Sequence, residues 1–191
     1  RRLQDVLEYY KRYFSAMQTL GATVFVLHGN KGPIQAELYA ERFAMLAELG
    51  KTFGVVVAQE NVARCTSRSL DFLLQMQKLL GNDAKFVLDI KQAVRSNENP
   101  MQMLQKLGSH IVHVHLSDHG EYGDCLPVGT GRFDVRTFLQ TLSTCSPDCS
   151  VILELYRSSF NNVQDLVNNY LVIQHMLAPG SANKTDSIPI R

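Results

Sequence analysis

Residues 110–134 read "HIVHVHLSDHGEYGDCLPVGTGRFD". Ile111, Val112, Val114 and Leu116 make an apolar, β-branched run, the pattern of a strand buried on both faces of a parallel sheet. His113 and His115 stand inside that run, and Asp118, Asp124 and several glycines follow in a polar loop. An imidazole at the end of a buried strand is chemically useful only with partners at the same height. The rest of the sequence must say what those partners are.

Outward from this stretch the same run recurs. Strands are expected at residues 22–27, 54–59, 85–89, 111–116 and 150–155, in "ATVFVLHG", "GVVVAQEN", "AKFVLDI", "HIVHVHLSD" and "SVILELYR". Helical segments alternate with them. Leu3, Val6, Leu7, Tyr10, Phe14, Met17 and Leu20 share one stripe, which Gly21 ends. "GPIQAELYAERFAMLAELG" has Pro33 near its start, and "TSRSLDFLLQMQKLLG" has a Thr/Ser cap and a Gly stop. "PMQMLQKLG", "DVRTFLQTLS" and "NNVQDLVNNYLVIQHML" complete the series. Continuous apolar strands alternating with helices give an α/β protein with a parallel sheet. "HGNKGP" is neither GxGxxG nor a phosphate loop, which argues against a nucleotide-binding doubly wound sheet. Residues 1–178 read as the domain and 179–191 as a polar C-terminal tail.

The 191 residues are 45% hydrophobic and lack Trp, which suits one globular domain. Net charge is +1 and no basic stripe appears, so no large nucleic-acid surface is signalled. No run approaches the ~20 apolar residues of a membrane helix, and the first residues carry no signal-peptide pattern. "RRLQDVLEYY" starts without Met inside a helical pattern, and reads as a piece of a longer polypeptide. Cys65, Cys125, Cys145 and Cys149 form no CxxC pair, and read as reduced thiols of a cytoplasmic protein; a Cys145–Cys149 bridge is the alternative.

In parallel βα units the C-terminal strand ends face one side, and sites are built there. In order they are His28, Glu60, Asp89, His115 and Glu154. Taken alone, Asp89 is as readily a helix cap as a ligand. A lone histidine is more often a hydrogen-bonded core residue, which stays the reading for His113; His110, His119 and His175 read as surface or loop groups. For the set the weighting reverses. Two Glu, one Asp and one His cannot all stay ionised and unpaired in a partly dry site. A divalent cation is the simplest neutraliser. The O,O,O,N set suits Mn²⁺ or Mg²⁺, with Zn²⁺ or Co²⁺ as alternatives. No thiolate is in line, which argues against structural zinc.

At these residues the chain resembles the xylose isomerase-like TIM barrels, the sugar phosphate isomerase/epimerase family that includes ketose 3-epimerases. "VFVLHG", "VVVAQENV", "FVLDI", "HVHLSD…LPVGTGRFD" and "VILELY" run in family order over nearly the whole chain. The resemblance implies a partial (β/α) barrel of about five parallel strands with outer helices, the first three strands of an eight-stranded barrel being absent. It implies Glu60, Asp89, His115 and Glu154 as metal ligands, Mn²⁺ foremost, with Glu60 and Glu154 also the acid/base pair flanking a small sugar substrate. Moving a proton next to a carbonyl passes through an enediolate, whose charge a metal stabilises while a carboxylate on each face handles the proton. His28, Gln92, Lys91 and Asp118 are expected to contact the substrate. Gln92 stands where the family usually has a substrate-binding His, and Glu121 lies where epimerase members carry an Arg. The alternatives are an endonuclease IV-like AP endonuclease, weakened by Gln92 and by Leu126 at two of its ligand positions, and a non-catalytic sugar-binding or truncated relative. An open sheet edge makes a homodimer one way to cover it.

Overall fold

The computed structural model describes residues 3–121 and 123–178. Helix α1 (Leu3–Leu20) lays its apolar stripe against β1 (Val24–Leu27), where Phe14 and Phe25 meet edge to face with ring centres 5.3 Å apart. Then follow α2 (Ala36–Lys51), β2 (Val56–Glu60), α3 (Leu70–Leu80), β3 (Phe86–Asp89), α4 (Ile90–Arg95), α5 (Pro100–Leu107) and β4 (Ile111–Leu116). A hairpin of β5 (Asp118–Gly120) and β6 (Gly123–Leu126) leads to α6 (Val135–Cys145), β7 (Ser150–Leu153) and α7 (Val163–Leu177). The main sheet has the order β1-β2-β3-β4-β7, and every neighbouring pair in it is parallel. The apolar runs predict this parallel sheet, and the five-stranded partial barrel of TIM type with helices outside is the one the resemblance implies.

Local chemistry sets the boundaries. The side chain of Ser69 caps α3 by accepting the amide of Phe72, Asn99 does the same for α5 ahead of Pro100, and Asn162 and Asp165 form a reciprocal capping box on α7. Phe86, Leu73, Met76, Met103, Leu104, Leu107 and Phe138 are fully buried between sheet and helices. All residues of β3 are buried, as a strand covered on both faces requires. The edge strand β7 differs. Ile152 pairs with His115 across the parallel ladder and is 46% exposed.

Two elements lie beyond the sequence expectations. Residues 90–95 form α4, because the Asp89 carboxylate caps a helix where the apolar pattern is too short to announce one. The loop after β4 folds into the antiparallel β5–β6 hairpin. All four cysteines are free thiols. No helix among the described residues is long and apolar enough to cross a membrane. The expected tail, 179–191, lies outside the described residues.

Candidate metal centre

Glu60 ends β2 and Asp89 ends β3; His115 is the penultimate residue of β4, directly opposite Asp89. Glu154 follows β7, and its amide extends the ladder to Leu116 O at 3.0 Å. Because the strands run parallel, these ends rise on one side of the sheet. Glu60, Asp89, His115 and Glu154 each present one potential ligand atom, all within 4.8 Å of one another. Glu60 and Asp89 are buried, whereas the Glu154 side chain is 40% exposed at the mouth.

The electrostatics of this group are incomplete. His115 Nδ1 lies 2.9 Å from Glu154 Oε2, 3.2 Å from Glu60 Oε1 and 3.5 Å from Asp89 Oδ2. One ring nitrogen has one proton to offer, and its directed hydrogen bond goes to Glu60. Among the described residues, Glu60 Oε2, Asp89 Oδ2 and Glu154 Oε2 are buried without a directed donor, although His28 Nε2 stands 3.0 Å from the first. Burial opposes a charged imidazole here, but the three carboxylates outweigh it and push His115 up to about 11. His115 in turn holds Glu154 well below the usual carboxylate range, against the effect of burial. Burial raises Asp89, with His115 and the Gln92 amide opposing. Among the described residues three carboxylates face one permanent cation, Lys91, so a divalent ion bound to neutral His115 would bring the group to neutrality. Orphaned oxygens around one imidazole nitrogen fit a hard divalent cation.

The supporting residues hold these side chains in place. Asp89 Oδ1 caps α4 through the Gln92 amide at 2.9 Å and leaves Oδ2 to the cluster, so the cap uses only one of the two oxygens. Asn61 pairs twice with the backbone of Asp89, accepting from its amide at 2.7 Å and donating to its carbonyl at 3.0 Å. Gln59 donates to Leu27 O at 2.9 Å and Glu60 O at 2.8 Å, while the Tyr39 hydroxyl donates to its carbonyl. Gly29, at φ +86°, passes so close that a Cβ would lie 2.5 Å from the Tyr39 oxygen. Sequence reasoning missed Gln59 and Asn61. Their signal was present: amides flanking Glu60 at the end of an apolar strand need buried partners.

The other expected site residues fall into different places. His28 follows β1 and reaches Glu60 from the solvent side, its side chain 60% exposed. Gln92 turns its carbonyl to the Ala63 amide at 3.0 Å. Lys91 points inward, its side chain 4% exposed, with Nζ 3.1 Å from Glu154 Oε1 and 3.5 Å from Asp89 Oδ2. Burial lowers Lys91, but Asp89 and Glu154 outweigh it and leave it above its ordinary value. His113 bonds Ser150 Oγ at 2.6 Å and sits one layer below His115, as a hydrogen-bonded structural histidine. Burial and the neighbouring His115 lower its pKa.

Asp118 corrects an expectation. Its carboxylate does not face the cluster. It accepts the amides of His119, Gly129, Gly131 and Phe133 at 2.7–3.0 Å, so both oxygens are consumed in pinning the loop. A side chain on Gly131 would place Cβ 2.3 Å from Asp118 Oδ1. Gly131 of "VGTG" therefore serves a close approach to this carboxylate. Asp118→Ala is expected to cost roughly 3 kcal/mol of stability, because buried amides lose a charged acceptor. Urea denaturation measures it, and a loss within the error of the method would show the loop holding itself.

The hairpin is tied to the site by residues no motif announced. Arg95 forms a two-pronged pair with Asp124 of β6, and its Nη1 donates to the Tyr156 hydroxyl at 2.7 Å. The Tyr156 ring carries Lys91 Nζ 5.0 Å from its centre. Cys125 donates its thiol to Glu154 O at 3.3 Å.

The sequence profile described as "Xylose isomerase-like TIM barrel" matches residues 1–173. An uncharacterized protein of Mycobacterium leprae (strain TN) is 26% identical over 185 residues, covering 81% of this chain and 64% of that protein. The chain therefore spans less than two thirds of that relative's length. A D-tagatose 3-epimerase-like protein superposes with a TM-score of 0.72 at 21% identity, over 91% of this chain and 69% of the other. The probable 3-DHS dehydratase AsbF of Bacillus anthracis gives 0.76 at 15% identity, over 91% and 71%. The IOLI protein, whose structure holds a zinc atom, gives 0.70 at 15% identity, over 89% and 69%. At such identities the structures establish the fold. With the profile covering nearly all of the sequence, the chain belongs to the xylose isomerase-like TIM barrel family.

Proposed function

We propose that the protein is a divalent-metal-dependent isomerase or epimerase of a sugar or sugar phosphate, moving a proton next to a carbonyl. One observation carries this reading: the ligand atoms of Glu60, Asp89, His115 and Glu154 lie within 4.8 Å of one another at the strand ends of a family barrel. These four residues hold the ion, with Mn²⁺ the best match to three oxygens and one nitrogen. When bound, the ion polarises the carbonyl and neutralises charge developing on the substrate oxygens.

The remaining chemistry belongs to the side chains. Glu60 and Glu154 come from β2 and from beyond β7, with β3 and β4 between them. That separation lets one carboxylate remove the proton and the other return one on the opposite face. His28, 3.0 Å from Glu60 Oε2 and largely solvent-exposed, passes the Glu60 proton to water. The amide of Gln92 positions a hydroxyl, since it cannot take a proton. Gln92→Ala is expected to raise KM several-fold, about 1 kcal/mol for one neutral hydrogen bond, with kcat within twofold; a kcat loss at unchanged KM would contradict a positioning role.

The test of the whole reading is a panel of aldoses, ketoses and their phosphates, incubated with Mn²⁺-loaded full-length protein. Interconversion of at least one pair, stopped by a chelator and restored by Mn²⁺, is the expected result. A loaded protein inert to the entire panel would contradict it.

A further inference from the structure

Lysine is almost never fully buried unless paired, and Lys91 is both buried and paired. Its ammonium stands 3.1 Å from Glu154 Oε1, and the face of the Tyr156 ring lies below it. Proton transfer as set out above gives this cation no part. We propose that Lys91 is a positioning residue that keeps Glu154 a one-oxygen ligand: it holds one lone pair of Oε1, so that only Oε2 turns to the ion and the other lone pair of Oε1 is left for the proton. The inference rests on the metal reading of the cluster and adds to it.

Asp89 shows the same division by other means. Its Oδ1 is held by the Gln92 amide at 2.9 Å and its Oδ2 is left to the cluster. Glu154, part-exposed at the mouth, has no backbone donor among the described residues to restrain it, and the lysine supplies the restraint. Arg95 anchors Tyr156 through its hydroxyl at 2.7 Å, and the ring in turn backs the ammonium. The consequence concerns open positions on the ion. Hard divalent ions favour six ligands in near-octahedral geometry. Four one-oxygen or one-nitrogen protein ligands leave two positions for a pair of adjacent substrate oxygens. A Glu154 free to bind through both oxygens would leave one, and a chelating substrate would lose half its hold.

Water-proton relaxation of the Mn²⁺-loaded full-length protein counts the exchangeable waters on the ion, with titration calorimetry giving stoichiometry. Lys91→Met keeps the length and removes the charge, and a thioether is a poor ligand for Mn²⁺. It is expected to bind one ion per chain with its relaxation enhancement reduced to about half, since one of two water positions is filled. Lys91→Arg, which also donates to carboxylates, restores the wild-type value. Should Lys91→Met not fold, Lys91→Gln, shorter and uncharged, is expected to give the same fall. Equal enhancement in the wild type and the uncharged variants overturns the inference and leaves the metal reading standing. No ion in any chain overturns the metal reading and this inference with it. An ion bound only by the uncharged variants puts the ammonium in the ion's place, and overturns both.

Discussion

Glu60→Gln and Glu154→Gln are each expected to lower kcat by roughly 10²–10⁴-fold, the usual worth of one general acid/base group. The substitutions preserve shape and one carbonyl oxygen, but an amide cannot shuttle a proton. Both glutamates are also proposed ligands, so the comparison belongs at saturating Mn²⁺, where weaker metal binding is offset by concentration. KM is expected to change far less than kcat, because the lost interaction acts in proton transfer. The two variants should differ in one respect. Glu60 is buried and linked to solvent through His28, so His28→Ala should show a smaller loss in the same direction. A Glu60→Gln enzyme retaining more than about a third of wild-type kcat would remove that carboxylate from the chemistry.

Stripping the metal is expected to destabilise the fold measurably. An ion that binds the native chain alone contributes about 2.7 kcal/mol when present at a hundred times its Kd. For a domain of this size that raises Tm by roughly 5–10 °C. Asp89→Asn separates the two jobs of that carboxylate. Asn caps helices as well as Asp, so the metal-free variant should melt within about 0.5 kcal/mol of the metal-free wild type. Its Mn²⁺ affinity should nonetheless fall by ~100-fold or more, beyond what an outer-shell change produces. Equal Tm gains on Mn²⁺ addition in both proteins would take Asp89 out of the metal site.

The barrel strands were legible because each is an apolar run long enough to reveal itself, and each ends in a group that can carry charge. β4 matches its expected span, residues 111–116, to the residue. The ends of the other strands move by a residue or two, since Leu153 closes β7 while Glu154 continues only as a single ladder bond. Helix α4 was hidden because six residues are too few for a period to show. Asp118 misled because a carboxylate after a histidine strand looks like a substrate contact. What it accepts are amides of residues up to fifteen positions later, and no local pattern reports a bond of that reach. The same holds for Lys91. Its place beside Asp89 is visible in "DIKQ", but its inward turn depends on Glu154 and Tyr156, sixty-odd positions away in the chain.

Proton transfer at a carbon next to a carbonyl leaves its record in solvent isotope incorporation. The full-length protein, loaded with Mn²⁺, is incubated with a broad panel of ketoses in deuterated water and the sugars are read by NMR and mass spectrometry. The account predicts deuterium at the carbon adjacent to the carbonyl of at least one sugar, abolished by chelation and by Glu60→Gln. No incorporation into any ketose, together with cleavage of abasic DNA by the same loaded protein, would contradict it and assign the site to phosphodiester hydrolysis.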